Sequence, residues 1–278
     1  MKIPISFEFF PPNTAEGEAK LAQVTQELAA LKPTHFSVTY GAGGSTRDKT
    51  VATVRRIHAQ GLTVAPHLSC VGASRESLSE ILTIYRDLGI RKLVALGGDL
   101  PSGMVAGGEF RYATDLIGFI QRAFPDQFEL TVAAYPEVHP RAASARADLE
   151  VLRRKEALGA RAAVTQFFYN ADAYFAFVEA ARALGITLPI IPGIMPIGNF
   201  AKVARFAEGC GAEIPRWLVK RMQDFGDDLE AVRAFGLDVV TRLCERLVSG
   251  GAPALHFYTM NQAGLSSQII HRLRGNPA

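Results

Sequence analysis

Short apolar runs alternate with longer amphipathic runs from one end of the chain to the other. Strand-like runs fall at residues 5–10, 35–40, 63–70, 92–97, 129–135, 162–167, 188–193 and 254–259. Between them the apolar period lengthens towards that of a helix, first at 15–31 and again from Thr46 onward. Gly61, Gly89, Gly159 and Gly185 stand where helices should stop, because glycine readily takes the left-handed closing conformation. Ser74 reads as the N-cap of the third helix, with Glu76 in its first turn. Three helical segments, 200–206, 215–223 and 227–248, lie between the last two strands, more than one βα unit needs.

Eight strands with intervening helices predict a parallel α/β architecture, the (β/α)8 TIM barrel, with extra helices between strands seven and eight. A doubly wound open sheet would announce a nucleotide site with a GxGxxG run after the first strand. That position reads Phe9-Phe10-Pro11-Pro12-Asn13 instead. No linker, low-complexity run or compositional break divides the chain, so residues 1–278 are predicted to form a single domain.

Strand parity then assigns faces, since alternate side chains meet the lumen and the helix layer. In the first strand Ile5, Phe7 and Phe9 share one face, and Ser6 and Glu8 the other. The helix-facing side must be apolar, which places Glu8, Thr39 and His67 in the lumen or at its mouth. Asp99, Tyr135, Gln166 and Asn261 also crowd C-terminal strand ends, where βα loops converge on barrel active sites. Glu8 is the anomaly, because an ionised carboxylate among phenylalanines is costly unless paired or used. Desolvation by Phe7, Phe9 and Phe10 predicts a raised pKa, as a general acid requires.

Composition narrows the function. Hydrophobic residues make up 48%, ample for a core, and the formal net charge of +3 is spread among intermixed acidic and basic residues. That argues against a nucleic-acid partner. Cys70, Cys210 and Cys244 show no CxxC-like spacing, so neither a disulfide framework nor zinc is indicated, and reducing cytoplasm is expected. The uncharged stretch 186–200 carries three prolines and predicts no membrane span. No HxH or HxxE spacing supports a metal. Gly97-Gly98-Asp99-Leu100-Pro101 would let a flat ligand approach backbone beside an acid, or form a plain turn capped by Asp99. Arg154 and Lys155 form a cation pair suited to phosphates, or an ordinary helix surface.

Several motifs together, Ser6 to Pro12, Val38 to Ala42, Pro66-His67-Leu68, Gly98 to Pro101, Ala134 to Pro140, Thr165 to Phe168, Pro192-Gly193-Ile194 and His256 to Thr259, resemble those of the methylenetetrahydrofolate reductase family, bacterial single-domain type. The likeness runs in order over essentially the whole chain. It implies a (β/α)8 flavoprotein that uses FAD and NADH or NADPH to reduce 5,10-methylenetetrahydrofolate to 5-methyltetrahydrofolate by ping-pong transfer, in the one-carbon supply to methionine. It also implies a homo-oligomer.

By this resemblance Glu8 is the catalytic acid that protonates the folate N10, and Asp99 the acid near the flavin pyrimidine edge. Thr39, Tyr40, Ala42, His67, Gly98 and Asp99 match flavin-contacting positions. So do Tyr112, Ala113, Tyr135 and His139, and further along Ala142, Asp148, Arg154 and Lys155. Gln166 matches a residue shared by folate and nicotinamide, Phe206 an aromatic that stacks on either, and Gln262 a substrate contact. Gly97 and Gln262 stand where relatives tend to have Arg, which implies altered affinity. The alternative is a non-catalytic flavin- or folate-binding subunit of a larger complex. A cofactor-free barrel lyase or isomerase would need a Schiff-base lysine or metal ligands at strand ends, and neither is evident.

Overall fold

The computed structural model describes residues 3–41, 46–98 and 108–275. Ala42 and Asp99, both assigned to the cofactor site, lie outside the described residues. Strands β1 (Ile5–Phe9), β2 (His35–Val38), β3 (Val64–Ser69), β4 (Lys92–Leu96), β5 (Glu129–Ala134) and β6 (Ala160–Thr165) alternate with helices α1 (Ala15–Ala29), α2 (Arg47–His58), α3 (Arg75–Asp87), α4 (Ala113–Ala123), α5 (Ala145–Ala157) and α6 (Ala171–Ala183). Consecutive strands pair in parallel from β1 to β6.

The seventh strand, predicted as one run at 188–193, is instead two short pieces. β7 (Ile190–Ile191) pairs with β6, and β8 (Gly193–Ile194) pairs with β9 (Leu255–Tyr258). Pro192 stands between them; it has no N–H to give, but its carbonyl accepts from His256 N at 3.1 Å. β9 pairs in turn with β1, so the nine strands wind into a nearly closed barrel whose two ends are β7 and β8. Before β9 come the extra helices α7 (Phe200–Cys210), α8 (Arg216–Asp224) and α9 (Leu229–Ser249), and α10 (Gly264–Leu273) follows it.

The helix-facing positions of the strands build an aromatic layer. The Phe7 ring lies 5.8 Å from that of Phe36 and 5.9 Å from that of Phe257, and Phe9 stacks on Phe36 at 5.3 Å. Each is fully buried, contributing about 1.5–3 kcal/mol of apolar burial. Gly61, Gly89, Gly159 and Gly185 close their helices at positive φ. Ser74 caps α3 by accepting from Ser77 N. β6 lies at Ala160–Thr165 rather than 162–167, so Gln166 and Phe167 fall beyond the strand end.

Candidate active site

Paired register brings together side chains that are distant in sequence. Glu8 is level with Ser37 on β2 and with Tyr258 on β9, and Ser6 is level with His256. Parity turns all of them to the lumen. Glu8 Oε2 lies 3.3 Å from His67 Nε2 and 3.5 Å from His256 Nε2. His256 Nδ1 is 2.7 Å from Ser6 Oγ. With the Ser6 hydroxyl donating to Nδ1, the proton of His256 sits on Nε2 and points to Glu8. His67 Nε2 is buried without a hydrogen bond of good geometry, and the Ser37 hydroxyl has no partner other than Glu8.

The carboxyl state differs from the expectation. Burial raises the Glu8 pKa, but the His67 charge, the His256 hydrogen bond and the Ser37 hydroxyl outweigh it and hold the group below its ordinary 4.5. Phe7 and Phe9 are adjacent in sequence yet sit on the opposite face, and Phe10 is 42% exposed, so they do not supply the desolvation assigned to them. Burial pushes His67 below its ordinary value despite the pull of Glu8. At neutral pH the lumen therefore holds a carboxylate beside a neutral imidazole.

The end of β1 is fixed from the β9 side. Thr259 Oγ1 donates to the Glu8 carbonyl at 2.7 Å, and the Asn261 amide pairs with both Phe10 N and Phe10 O. Tyr258, edge-on to His256, donates its hydroxyl to Thr165 O at 2.7 Å. Ser6, Ser37, His256 and Tyr258 are absent from the sequence-derived set. The signal for His256 was the alternation of Leu255 and Phe257 against His256 and Tyr258.

The described residues assigned to a cofactor follow several strand ends and continue onto α4 and α5. Thr39 follows β2, its N–H bonded to Phe9 O, and Tyr40, half-buried, comes next. Gly98 has φ +90, and a Cβ there would fall 1.8 Å from Ser69 Oγ, so only glycine fits. Tyr112, 63% exposed, precedes Ala113 at the start of α4.

After β5, the Tyr135 and His139 rings meet edge-on at 4.4 Å. Asp148 on α5 accepts from His139 N, Arg141 N donates to His139 Nδ1, and Ala142 N donates to His139 O. Lys155 turns inward and donates to Ala133 O at 2.9 Å; burial lowers its pKa to about 8. Arg154 faces solvent, so the pair divides between the two sides of α5.

Of the residues assigned to substrate, Gln166 lines a cleft between the β5 loop and the end of α7, and its side chain accepts from Phe167 N. Phe206 on α7 is 48% exposed. Gln262 is exposed just past the Asn261 clamp.

A parallel barrel with a buried carboxylate between two imidazoles at the C-terminal ends of its strands has the arrangement of a barrel enzyme. The particular family follows from comparison. The family model for methylenetetrahydrofolate reductase matches residues 1–274, and the chain belongs to that enzyme family. It is 41% identical to the 5,10-methylenetetrahydrofolate reductases of Salmonella typhimurium and of Escherichia coli K12, in each case over 99% of this chain and 92% of the relative. In fold it resembles, with a TM-score of 0.67 and 17% identity, an uncharacterized Clostridium thermocellum protein that binds two copies of 5-methyl-5,6,7,8-tetrahydrofolic acid; the match covers 97% of this chain and 93% of that one.

Proposed function

We propose that this chain reduces 5,10-methylenetetrahydrofolate to 5-methyltetrahydrofolate with FAD as bound cofactor and NADH or NADPH as donor, in a ping-pong cycle. The observation that carries the reading is Glu8, the family's acid position, held in the lumen by His67, His256 and Ser37. The residues present fit a flavin. His67 Nε2 is buried and, though 3.3 Å from Glu8, makes no hydrogen bond, Gly98 offers bare backbone, and Tyr40, Tyr112 and Tyr135 offer aromatic surface. Arg154 at the solvent face suits a pyrophosphate, and Asp99 carries the pyrimidine-edge role by family resemblance. FAD, when bound, supplies storage of a hydride between two substrates that use one pocket in turn.

The chain's own part is to move one proton. Glu8 takes it up as substrate closes over the mouth and excludes water, which raises the carboxyl pKa from its low resting position. Oε2 then delivers it to the folate N10, the N10–C bond opens, and the carboxylate returns to its imidazole partners. His256, oriented by Ser6, positions Oε2 and opposes its departure from the lumen. Gln166, Phe206 and Gln262 hold the substrates. Cytoplasmic location and a homo-oligomeric state belong to the same reading.

The test is spectroscopic. Pure protein should show flavin absorbance or accept FAD; NADH or NADPH should bleach it anaerobically, and methylenetetrahydrofolate should restore it. Glu8→Gln should spare bleaching and slow the folate step by about 10²–10⁴-fold. Protein that binds no flavin overturns the proposal, and loss of both half-reactions in the variant assigns Glu8 a structural role instead.

A further inference from the structure

A contact that the proposed chemistry does not use joins the β5 loop to α7. Glu137 Oε2 accepts from Glu213 N at 2.7 Å. Beside it Gly211 ends α7 at φ +74, so close to the loop that a Cβ would lie 2.6 Å from Pro140 Cγ. Between loop and helix end runs the cleft, with Gln166 and Phe167 as floor, Tyr135 and Glu137 on one wall and Cys210 and Gly211 on the other. Phe206, 48% exposed, lies on the same helix one turn before Cys210, so the placing of that helix end bears on where its ring stands.

The two sides of the clasp are not equally secure. The loop is braced on its own account by Asp148 to His139 N, by His139 Nδ1 to Arg141 N, and by Tyr135 O to Val138 N. Val138 sits at φ 69, unfavourable for a β-branched residue, so the surrounding bonds hold the loop in a conformation it would not choose alone. The helix end closes on itself through Ala212 N to Ala207 O, and Glu137 supplies the side-chain hydrogen bond that ties it to the loop. Breaking that bond therefore frees the helix end and leaves the loop in place.

We propose that Glu137 is a positioning residue for substrate: by clasping the chain at the C-terminal end of α7 to the β5 loop, it sets where the helix that carries Phe206 stands relative to Gln166. The proposal rests on the reading of Gln166 and Phe206 as substrate contacts. It also explains why a half-buried carboxylate, with burial and the nearby Glu213 charge both opposing its ionised form, spends a charge-assisted bond on a backbone N–H.

Two variants and two measurements test it. In Glu137→Ala, amide hydrogen exchange should quicken in a peptide covering 208–214 and stay unchanged at 138–142. KM for methylenetetrahydrofolate should rise about five- to tenfold with kcat and flavin content nearly unchanged. Glu137→Gln keeps an acceptor oxygen and should restore both readings. Unchanged exchange in the alanine variant overturns the clasp, and faster exchange with unchanged KM overturns its positioning role. A wild type that turns over no methylenetetrahydrofolate sinks the functional reading itself, and the exchange comparison still decides whether the clasp exists.

Discussion

Side chains in the lumen show how far a residue's chemistry departs from its sequence neighbours. Glu8 is surrounded in sequence by phenylalanines, but what it meets is imidazole and hydroxyl. His35 makes the converse point. Its ring stacks against His256 at 6.2 Å, and burial, reinforced by His256, Lys92 and His67, lowers its pKa to about 3. Between the ordinary 6.5 and about 3, the unfolded chain binds a proton that the folded chain refuses. Stability must therefore fall as pH falls through that window, by up to about 1.4 kcal/mol per pH unit from this group. Glu8, held below 4.5, loses its own contribution on further acidification, in the same direction. His35→Asn should show a smaller drop in urea-unfolding free energy between pH 7 and pH 5 than wild type. An equal drop would refute the assignment to His35.

At the scale of elements, helix punctuation was legible because it is local: Ser74 caps, Gly61 and Gly185 stop, and the structure agrees at each. The break in strand seven was not. Residues 188–193 are apolar on both sides of Pro192, and the consequence of its missing N–H depends on which strands flank it. The same junction makes Gly193 irreplaceable. A Cβ there would fall 2.2 Å from Thr165 O and 2.5 Å from the Tyr258 ring, and neither can yield, since the Tyr258 hydroxyl is bonded to that same carbonyl. Gly193→Ala should lower stability by about 3 kcal/mol, read from denaturant midpoints at constant m. A variant as stable as wild type would mean that β8 shifts freely.

For the whole molecule, the barrel places the described candidate cofactor residues near the ends of several strands and on α4 and α5, all of which a bound ligand would tie together. A ligand that binds only the folded form stabilises it by mass action, by about 2.7 kcal/mol at a hundredfold excess over Kd. For a chain of this size that corresponds to a rise in Tm of roughly 5–10 °C. Added FAD should produce it in a thermal melt. Riboflavin, which lacks the pyrophosphate, should produce less if Arg154 holds phosphate, and an identical rise would remove that role from Arg154.

The sequence by itself determined the order of strands and helices, the face each strand residue takes, and hence the presence of Glu8 in the lumen. These follow from periods of two and 3.6 residues and from glycine and proline, which act within a few positions along the chain. Tertiary structure alone decided that Glu8 rests as a carboxylate, that His256 and Ser6 orient it, and that strand seven is broken. Those outcomes turn on Coulomb and hydrogen-bond contacts over a few ångströms between residues as far apart as Glu8 and His256, whose separation along the chain is 248. No local pattern records which residues the closing of the barrel will bring face to face.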